Sequence, residues 1–430
     1  MPHVTSRLSL MLIVYVTNTA SLFVAFKAAA LTLSPSQNVL LLSIHSVSMF
    51  VSQASDLGYS RPAYRNLAQR PELAEQAKYY YGVNLQRFLI LLFCLPIAYI
   101  FMPKSDEPLI LIPAILLVVG FSLRSPWLVA ANVDLFRTYS ISEIIFSSAA
   151  IAIFVAIILL GYHPTLIVIL SILGAARLGP VIFVTERLSR YVSSATMFRF
   201  DRDIFRESLA SLGIKLILLA SHNSNGFFLV VLFTQTEVGM YLQADKLFYA
   251  GVGAFAFLCQ EVVRLATAGH FQRVPWYVLA AGCFLISSVL AICFAISAPF
   301  FLKLFFSASY VAAAEPLRWM LIGFPVMATN MILSNAYIHQ RRHDGFVLKW
   351  AFFAAFGNLL TVAAAYFLMQ PNAAAFGVLA SEGAAFVFLV FALLKGGVQI
   401  EGDNASRAKE HAALLQPSSD TSALMAKIRG

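Results

Sequence analysis

Long apolar runs recur along almost the whole chain and constrain its fold more than any other feature of the sequence. Each run is about 20 residues long, which is the length an α-helix needs to cross the hydrocarbon core of a bilayer. Only helix bundles and closed barrels span that core, and these runs are too long and too continuously apolar for barrel strands. Charged residues make up 12% of the chain, whereas soluble proteins carry about 25%. The sequence therefore predicts an all-α polytopic membrane protein.

Twelve transmembrane helices are predicted, six on each side of a charged central stretch. They are 8–31, 38–57, 83–102, 109–131, 141–160, 166–185, 209–233, 247–265, 277–300, 319–337, 346–368 and 373–394. The central stretch reads ERLSRYVSSATMFRFDRDIFRES and contains five arginines. Its apolar and charged residues fall largely on opposite halves of a helical projection, which is typical of a helix lying in the membrane interface. We therefore expect two pseudo-symmetric six-helix lobes (1–185 and 209–395), joined by a cytoplasmic amphipathic linker (186–208) and followed by a cytoplasmic tail (396–430).

Lysine and arginine in the loops predict the orientation, because cytoplasmic loops carry an excess of both. With the N-terminus in the cytoplasm, 20 of these residues lie on the cytoplasmic side and four on the other side. The four are Lys104, Lys246, Lys303 and Arg318. This bias places both termini in the cytoplasm. It also makes anionic phospholipid of the inner leaflet, rather than nucleic acid, the expected partner of the positive charge.

Six cations lie within the predicted helices: Lys27, Arg87, Arg124, Arg177, Lys215 and Lys349. Each costs about 2.5–3.5 kcal/mol at the centre of a membrane helix. Arg87 and Lys349 lie near predicted cytoplasmic ends, from which long side chains reach water. The other four are candidates for a polar cavity that binds substrate. The alternative for each of them is a structural ion pair with a buried acid.

Two polar stripes follow helical spacing, one in each half. The second helix carries His45, Ser48, Ser52 and Asp56, and the seventh carries Ser211, Lys215, His222 and Asn225. Such stripes line water-filled cavities or join helices by hydrogen bonds, and hydrogen bonding is the simpler interpretation for the serines. His45, His222 and Asn225 are candidate cavity residues. Asp56 and Glu382 are candidates for binding a coupling ion, H⁺ or Na⁺, or for neutralising a nearby cation.

Motifs typical of enzymes are absent from the sequence. There is no G-x-x-x-x-G-K-[ST] phosphate loop, no G-x-S-x-G nucleophile turn and no cluster of metal ligands. We therefore expect a protein without catalytic residues, metal or cofactor, in which an H⁺ or Na⁺ gradient is the candidate source of energy.

Four stretches together resemble a known family. They are DLGYS (56–60), VGMYLQADKLF (238–248), SASYVAAAEPLRWM (307–320), and GNLL (357–360) followed by QPNAAAFGVLASEG (370–383). In order and in helix placement they are similar to the motifs of Wzx-type O-antigen and polysaccharide flippases. These belong to the polysaccharide transporter family of the multidrug/oligosaccharidyl-lipid/polysaccharide exporter superfamily. No helix is predicted after 394 that would correspond to the additional C-terminal helices of the peptidoglycan-precursor branch.

The resemblance implies a flippase of the bacterial inner membrane. Its substrate would be a polyprenyl-diphosphate-linked oligosaccharide repeat unit, moved from the cytoplasmic to the periplasmic leaflet by alternating access for the biosynthesis of O-antigen (lipopolysaccharide), capsule or exopolysaccharide. A polysaccharide polymerase and a chain-length regulator would be candidate partners. Arg177, Lys215, Arg124 and Lys27 would then bind the anionic head group.

Two alternatives remain open. One is an ion-coupled multidrug exporter of the same superfamily, for which aromatic and acidic cavity residues would be typical. The deep charges here are mostly positive, which favours an anionic substrate. The other is a polytopic glycan polymerase or ligase. Such enzymes need a sizeable periplasmic loop, and the longest predicted outer loop, 301–318, has 18 residues.

Overall fold

The computed structural model describes residues 2–394 apart from several gaps. These are 57, 60–62, 64–65, 68–71, 102–106, 126–127, 129–130, 132, 194–196, 198–199, 207, 210–216, 218–219, 222–223, 268–274 and 334–343. No β-strand occurs in the described ranges, and twelve α-helices have both ends within them. Each overlaps one of the predicted helices. The prediction of an all-α polytopic membrane protein is confirmed.

The helices of the first half are α1 (Pro2–Thr32), α2 (Pro35–Asp56), α3 (Leu73–Phe101), α4 (Leu111–Leu123), α5 (Val133–Leu159) and α6 (Leu166–Ser189). Those of the second half are α7 (Asn225–Leu232), α8 (Gln235–Thr267), α9 (Trp276–Phe305), α10 (Ala314–Leu333), α11 (Asp344–Phe367) and α12 (Gly377–Leu394). Short 3-10 helices precede α4, α10 and α12. By length and composition, eight helices in the described part can cross a membrane, and α2, α4, α7 and α8 are outside this set.

Successive helices run in opposite directions. We call the end of the bundle at which α1 begins the N face and the opposite end the far face. Odd-numbered helices begin at the N face, and even-numbered helices begin at the far face. The even-numbered α4 and α6 accordingly run side by side in the same direction, with Gly174 facing Leu116 and Gly120 facing Arg177.

Small residues set the closest helix contacts in both halves. A Cβ atom at Gly120 of α4 would lie 2.8 Å from the Arg177 Cβ of α6. In the second half, a Cβ atom at Gly323 of α10 would lie 2.6 Å from the Leu379 backbone nitrogen of α12. Because lipid provides no hydrophobic drive between helices, membrane helices gain stability from such close backbone approach. The α4–α6 contact in particular fixes where the Arg177 side chain can lie.

The two halves meet along α2, which packs against α7 and α8. Phe50 of α2 stacks on Phe227 of α7 with ring centroids 3.7 Å apart. At the far face, the Asn38 Nδ2 group of α2 donates to the Tyr310 hydroxyl at 2.8 Å. Nearby, the rings of Phe23 in α1 and Phe305 in α9 lie 4.5 Å apart. The halves are therefore in contact at the far face.

Several helix starts differ from the predicted ones, and those of α3 and α8 lie furthest before them. α3 begins at Leu73 rather than 83, and α8 begins at Gln235 rather than 247. The start of α8 is a T-x-x-E sequence, and both the N–H and the hydroxyl of Thr234 donate to Glu237 Oε2, at 2.8 and 2.7 Å. This is one half of a capping box, which marks a helix N-terminus irrespective of hydropathy. Both α3 and α8 thus begin well before the apolar run from which each was predicted.

The predicted linker, 186–208, lies only partly within the described residues. Its first four residues form the last turn of α6. Residues 202–206 are helical, and the side chain of Ile204 is buried against Gly82 of α3. The Gln86 side chain donates to the Asp201 carbonyl at 2.7 Å, so this part of the segment is fixed to the N-face end of α3. The predicted tail, 396–430, lies outside the described residues.

Candidate functional site

A cavity of about 520 Å³ lies between the two halves. Its walls come from α1, α2, α4, α5 and α6 on one side and from α8 on the other. Its charged lining residues are Arg124, Arg177, Asp245 and Lys246. Its aromatic lining residues are Tyr15, Phe23, Phe26, Phe121, Phe136, Tyr139 and Tyr249. The volume is in the range of small-molecule binding sites, and three cations against one acid make the described lining electropositive.

Arg177, one of the four predicted cavity cations, lies in the wall of this cavity and is 1% exposed. Its guanidinium donates to the side-chain oxygen of Asn18, to the Asn18 carbonyl at 3.1 Å and to the Ser21 hydroxyl at 3.2 Å. It also lies 5.5 Å from the centroid of the Phe121 ring. Within the described residues no carboxylate lies within ion-pair distance of it, and the acceptors of its guanidinium there are neutral groups.

Arg124, the second of these cations, also lines the cavity but has an acidic partner. Its Nε and Nη2 groups donate to the two carboxylate oxygens of Glu143 in α5, at 2.7 and 2.9 Å. The Glu143 side chain is 1% exposed, whereas that of Arg124 is 25% exposed. The predicted alternative, pairing with a buried acid, therefore applies to Arg124, although part of its guanidinium still faces the cavity.

Lys246 is a cavity cation that the sequence prediction placed in an outer loop, and that assignment is wrong. It lies eleven residues inside α8, and its side chain is 11% exposed. Its Nζ donates to Asp245 Oδ2 at 3.0 Å and to the Ser46 hydroxyl of α2 at 2.8 Å. The T-x-x-E sequence at 234–237 was the signal that could have extended the helix and placed Lys246 within the bundle.

His45 is one of the residues that line the cavity, and it is 4% exposed. Its ring lies edge-on to Phe26 and Phe121, with centroids 5.6 and 5.3 Å away. Neither ring nitrogen has a hydrogen-bond partner among the described residues. Of the serines in the same stripe, Ser52 joins α2 to α4 by donating to the Phe121 carbonyl at 2.9 Å, and Ser48 bonds within its own helix. Within this stripe, His45 lies at the cavity and Ser52 makes a contact between helices.

Asp56 ends α2 outside the cavity, next to Arg87. The two side chains are almost fully buried, and Asp56 Oδ1 lies 3.7 Å from Arg87 Nε. Arg87 also donates to the Arg124 carbonyl at 3.0 Å. The expectation that Arg87 extends to water is wrong, because α3 begins ten residues before its apolar run and places Arg87 in mid-helix. For Asp56, the arrangement corresponds to the predicted alternative of neutralising a cation.

The remaining predicted site residues lie elsewhere. Asn225 begins α7, where it accepts from the Asn358 side chain at 2.7 Å and donates to the Ala374 carbonyl at 3.2 Å. Glu382 of α12 is buried and accepts from the Asn330 side chain at 2.7 Å. Lys27 reaches across the far face and donates to the Lys303 carbonyl at 3.0 Å. None of these three lines the cavity, and Lys215 and His222 lie outside the described residues.

Among the described side chains, no group of three His, Cys, Asp or Glu residues is placed to hold a metal ion. The described cavity residues offer ammonium, guanidinium and imidazole groups together with aromatic rings. This set suits an anion attached to an apolar or amphipathic body.

No model of a known protein family matches the sequence, and no curated protein sequence matches it. Several solved structures nevertheless share its fold. An inward-facing multidrug resistance transporter of the MATE family, MOP superfamily, superposes with a TM-score of 0.59 at 14% identity, covering 89% of this chain and 94% of that one. The lipid II flippase MurJ, in an inward closed conformation, gives a TM-score of 0.59 at 13% identity, with 89% and 87% covered. A eukaryotic MATE transporter gives 0.52 at 14% identity, with 91% and 95% covered. The chain therefore has the fold that multidrug transporters and a lipid flippase share.

Proposed function

We propose that the chain is an alternating-access flippase for polyprenyl-diphosphate-linked oligosaccharide repeat units. The observation that carries the proposal is the electropositive cavity between the two halves, with Arg177 buried in its wall and held by neutral acceptors. A guanidinium within a membrane bundle is costly and usually marks a functional site. The diphosphate would bind there, while the polyprenyl tail remains in the bilayer beside the bundle.

The contacts between the halves agree with one stage of an alternating-access cycle. The far face is joined by the Asn38–Tyr310 and Lys27–Lys303 hydrogen bonds and by the Phe23–Phe305 contact. In the proposed orientation the N face is cytoplasmic, as the distribution of basic residues predicts. The described conformation is then closed to the periplasm, and rocking of two six-helix lobes would close the N face and open the far face.

The proposed setting follows from the substrate. A lipid-linked repeat unit is completed at the cytoplasmic leaflet and polymerised on the other side, which places the protein in a bacterial inner membrane. Anionic phospholipid at the N face, a polysaccharide polymerase and a chain-length regulator are the proposed partners. An H⁺ or Na⁺ gradient is the proposed source of energy. That MurJ is a flippase for lipid II, another lipid-linked substrate, supports the chemical class.

The multidrug exporter is the second candidate, and one observation favours it. Seven aromatic side chains and one acid line the cavity, which is the composition expected for organic cations. Against it, Asp245 is already paired with Lys246, and Arg124 and Arg177 would repel a cation. The positive charge of the described cavity lining therefore favours the flippase.

Deleting the gene and analysing lipid-linked sugars tests the proposal. The flippase predicts accumulation of a polyprenyl-diphosphate repeat unit on the cytoplasmic side and loss of surface polysaccharide. Complementation with Arg177→Met should fail, and complementation with Lys349→Met, which changes an exposed lysine of α11, should succeed. An unchanged lipid-linked pool with increased drug sensitivity would establish the exporter instead.

A further inference from the structure

The cavity ends, toward the middle of the bundle, at the seam between α2 and α8. Two of its lining residues there, His45 and Lys246, belong to different halves. Ser46, the residue after His45, accepts a hydrogen bond from Lys246. The two basic side chains therefore face the same end of the cavity from opposite sides of the seam.

His45 has an unfilled hydrogen-bonding capacity. A neutral imidazole offers one donor and one acceptor, and buried polar groups nearly always have partners. Neither nitrogen of His45 has one among the described residues, although the ring is buried and lines the cavity. Phe26 and Phe121 hold the ring edge-on from two sides. A fixed, unpartnered imidazole at a cavity wall is suited to donate to a ligand.

Lys246 has partners that an anionic ligand can replace. An ammonium group carries three donors, and two are used by Asp245 Oδ2 and the Ser46 hydroxyl. The third is unassigned among the described residues. His45, Lys246 and Arg177 all line the same cavity, so an anion that enters it meets two cations and an imidazole. Asp245 is the lining acid that competes with an incoming anion for Lys246.

We infer that His45 and Lys246 form an anion subsite across the seam, which binds one phosphate group of the head group by replacing Asp245 on Lys246. The inference rests on the proposed function and deepens it. A phosphate held by both residues is bonded to α2 and to α8 at once. The ligand thus adds a second link between the halves to the one that Ser46 and Lys246 already make.

Binding of farnesyl diphosphate to the full-length protein in lipid nanodiscs tests the subsite, with farnesol as the uncharged control. Lys246→Met should weaken binding by about tenfold and His45→Ala by about fivefold, because each removes a donor to a charged oxygen. Lys246→Arg should retain most of the affinity. Asp245→Asn should tighten binding by about fivefold, because it removes the competing anion. Lys349→Met is the matched lysine control and should bind as the wild type does.

The increase in affinity of Asp245→Asn separates a binding role from a structural one, since damage to the fold would not strengthen binding. If Lys246→Met does not give a monodisperse protein, the affinities of the Asp245→Asn and His45→Ala variants test the subsite instead. Wild-type affinity in every variant would overturn the subsite and leave the proposed function standing. Failure of the wild-type protein to bind farnesyl diphosphate better than farnesol would instead count against the proposed function itself.

Discussion

Arg124 and Glu143 form a two-point ion pair in the wall of the cavity, with N–O distances of 2.7 and 2.9 Å. The arginine follows the last residue of α4, and the glutamate lies ten residues after the start of α5. The pair therefore joins two consecutive helices of the first half behind the cavity. Its structural role can be separated from any contact with substrate.

Removing only one partner of this pair should destabilise the protein. Arg124→Met leaves the Glu143 carboxylate buried without its cation, and we expect a loss of about 3 kcal/mol in unfolding free energy. The double variant Arg124→Met/Glu143→Gln should recover most of that loss, because the unpaired charge is gone. Thermal unfolding in detergent measures both. If the double variant is stable yet does not flip substrate, Arg124 also contacts the head group, whereas full transport would restrict it to a structural role.

The glycine contact between α4 and α6 gives a second prediction. Gly120→Ala would place a methyl group 2.8 Å from the Arg177 Cβ, and we expect a loss of about 1–3 kcal/mol from overpacking. Gly282→Ala in α9 is the control, since no atom lies within 4 Å of a Cβ there. That change should stabilise the protein by about 0.5–1 kcal/mol through helix propensity. Equal unfolding midpoints for the two variants would contradict the close packing of α4 on α6.

The far-face hydrogen bond between Asn38 and Tyr310 should bias the conformational equilibrium. Tyr310→Phe removes the acceptor of the buried Asn38 amide and should favour conformations in which the far face is open. A cysteine introduced at Val39, which is 7% exposed, should then react faster with a membrane-impermeant maleimide. Tyr162→Phe, at an exposed tyrosine after α5, is the matched control. An unchanged labelling rate in Tyr310→Phe would mean that this bond does not hold the far face closed.

Glu382 remains the proposed coupling carboxylate, because Asp56 is already paired with Arg87. Glu382→Gln preserves the side-chain oxygen that accepts from Asn330 at 2.7 Å but cannot bind a proton or share a negative charge with Na⁺. We expect a folded protein whose transport in proteoliposomes no longer responds to the ion gradient. Glu237→Gln, at an exposed carboxylate of α8, should transport as the wild type does. A gradient response that survives in Glu382→Gln would exclude this residue from coupling.

Hydropathy was sufficient to predict the fold but not which cations face the cavity. Arg177 and Arg124 were recognisable because they interrupt apolar runs. Lys246 was not recognisable as a cavity cation, because it precedes an apolar run. A hydropathy window treats every helix as exposed to lipid on all sides. Because α8 faces a polar cavity, it carries Asp245 and Lys246 well inside its length. Its apolar run therefore begins many residues after the helix itself begins.

The partners of the buried charges could not be predicted for a different reason. Arg177 bonds to Asn18, 159 residues away, and nothing in either local sequence indicates the other. Asp56 and Arg87 are joined only because α2 and α3 lie side by side. Such pairs depend on the packing of helices, which in turn depends on contacts such as Gly120 against Arg177 that no periodicity reveals.

The length of α8 has a mechanical consequence. Its 33 residues extend about 50 Å, well beyond the roughly 30 Å of hydrocarbon. Gly239 rests on Val39 toward the far face, and Gly253 rests on Tyr15 toward the N face. These two supports are about 21 Å apart along the helix axis, with Lys246 halfway between them. With the Lys246–Ser46 hydrogen bond as a central pivot, a rigid α8 tilts as a seesaw does, so pressing one glycine onto its neighbour lifts the other away.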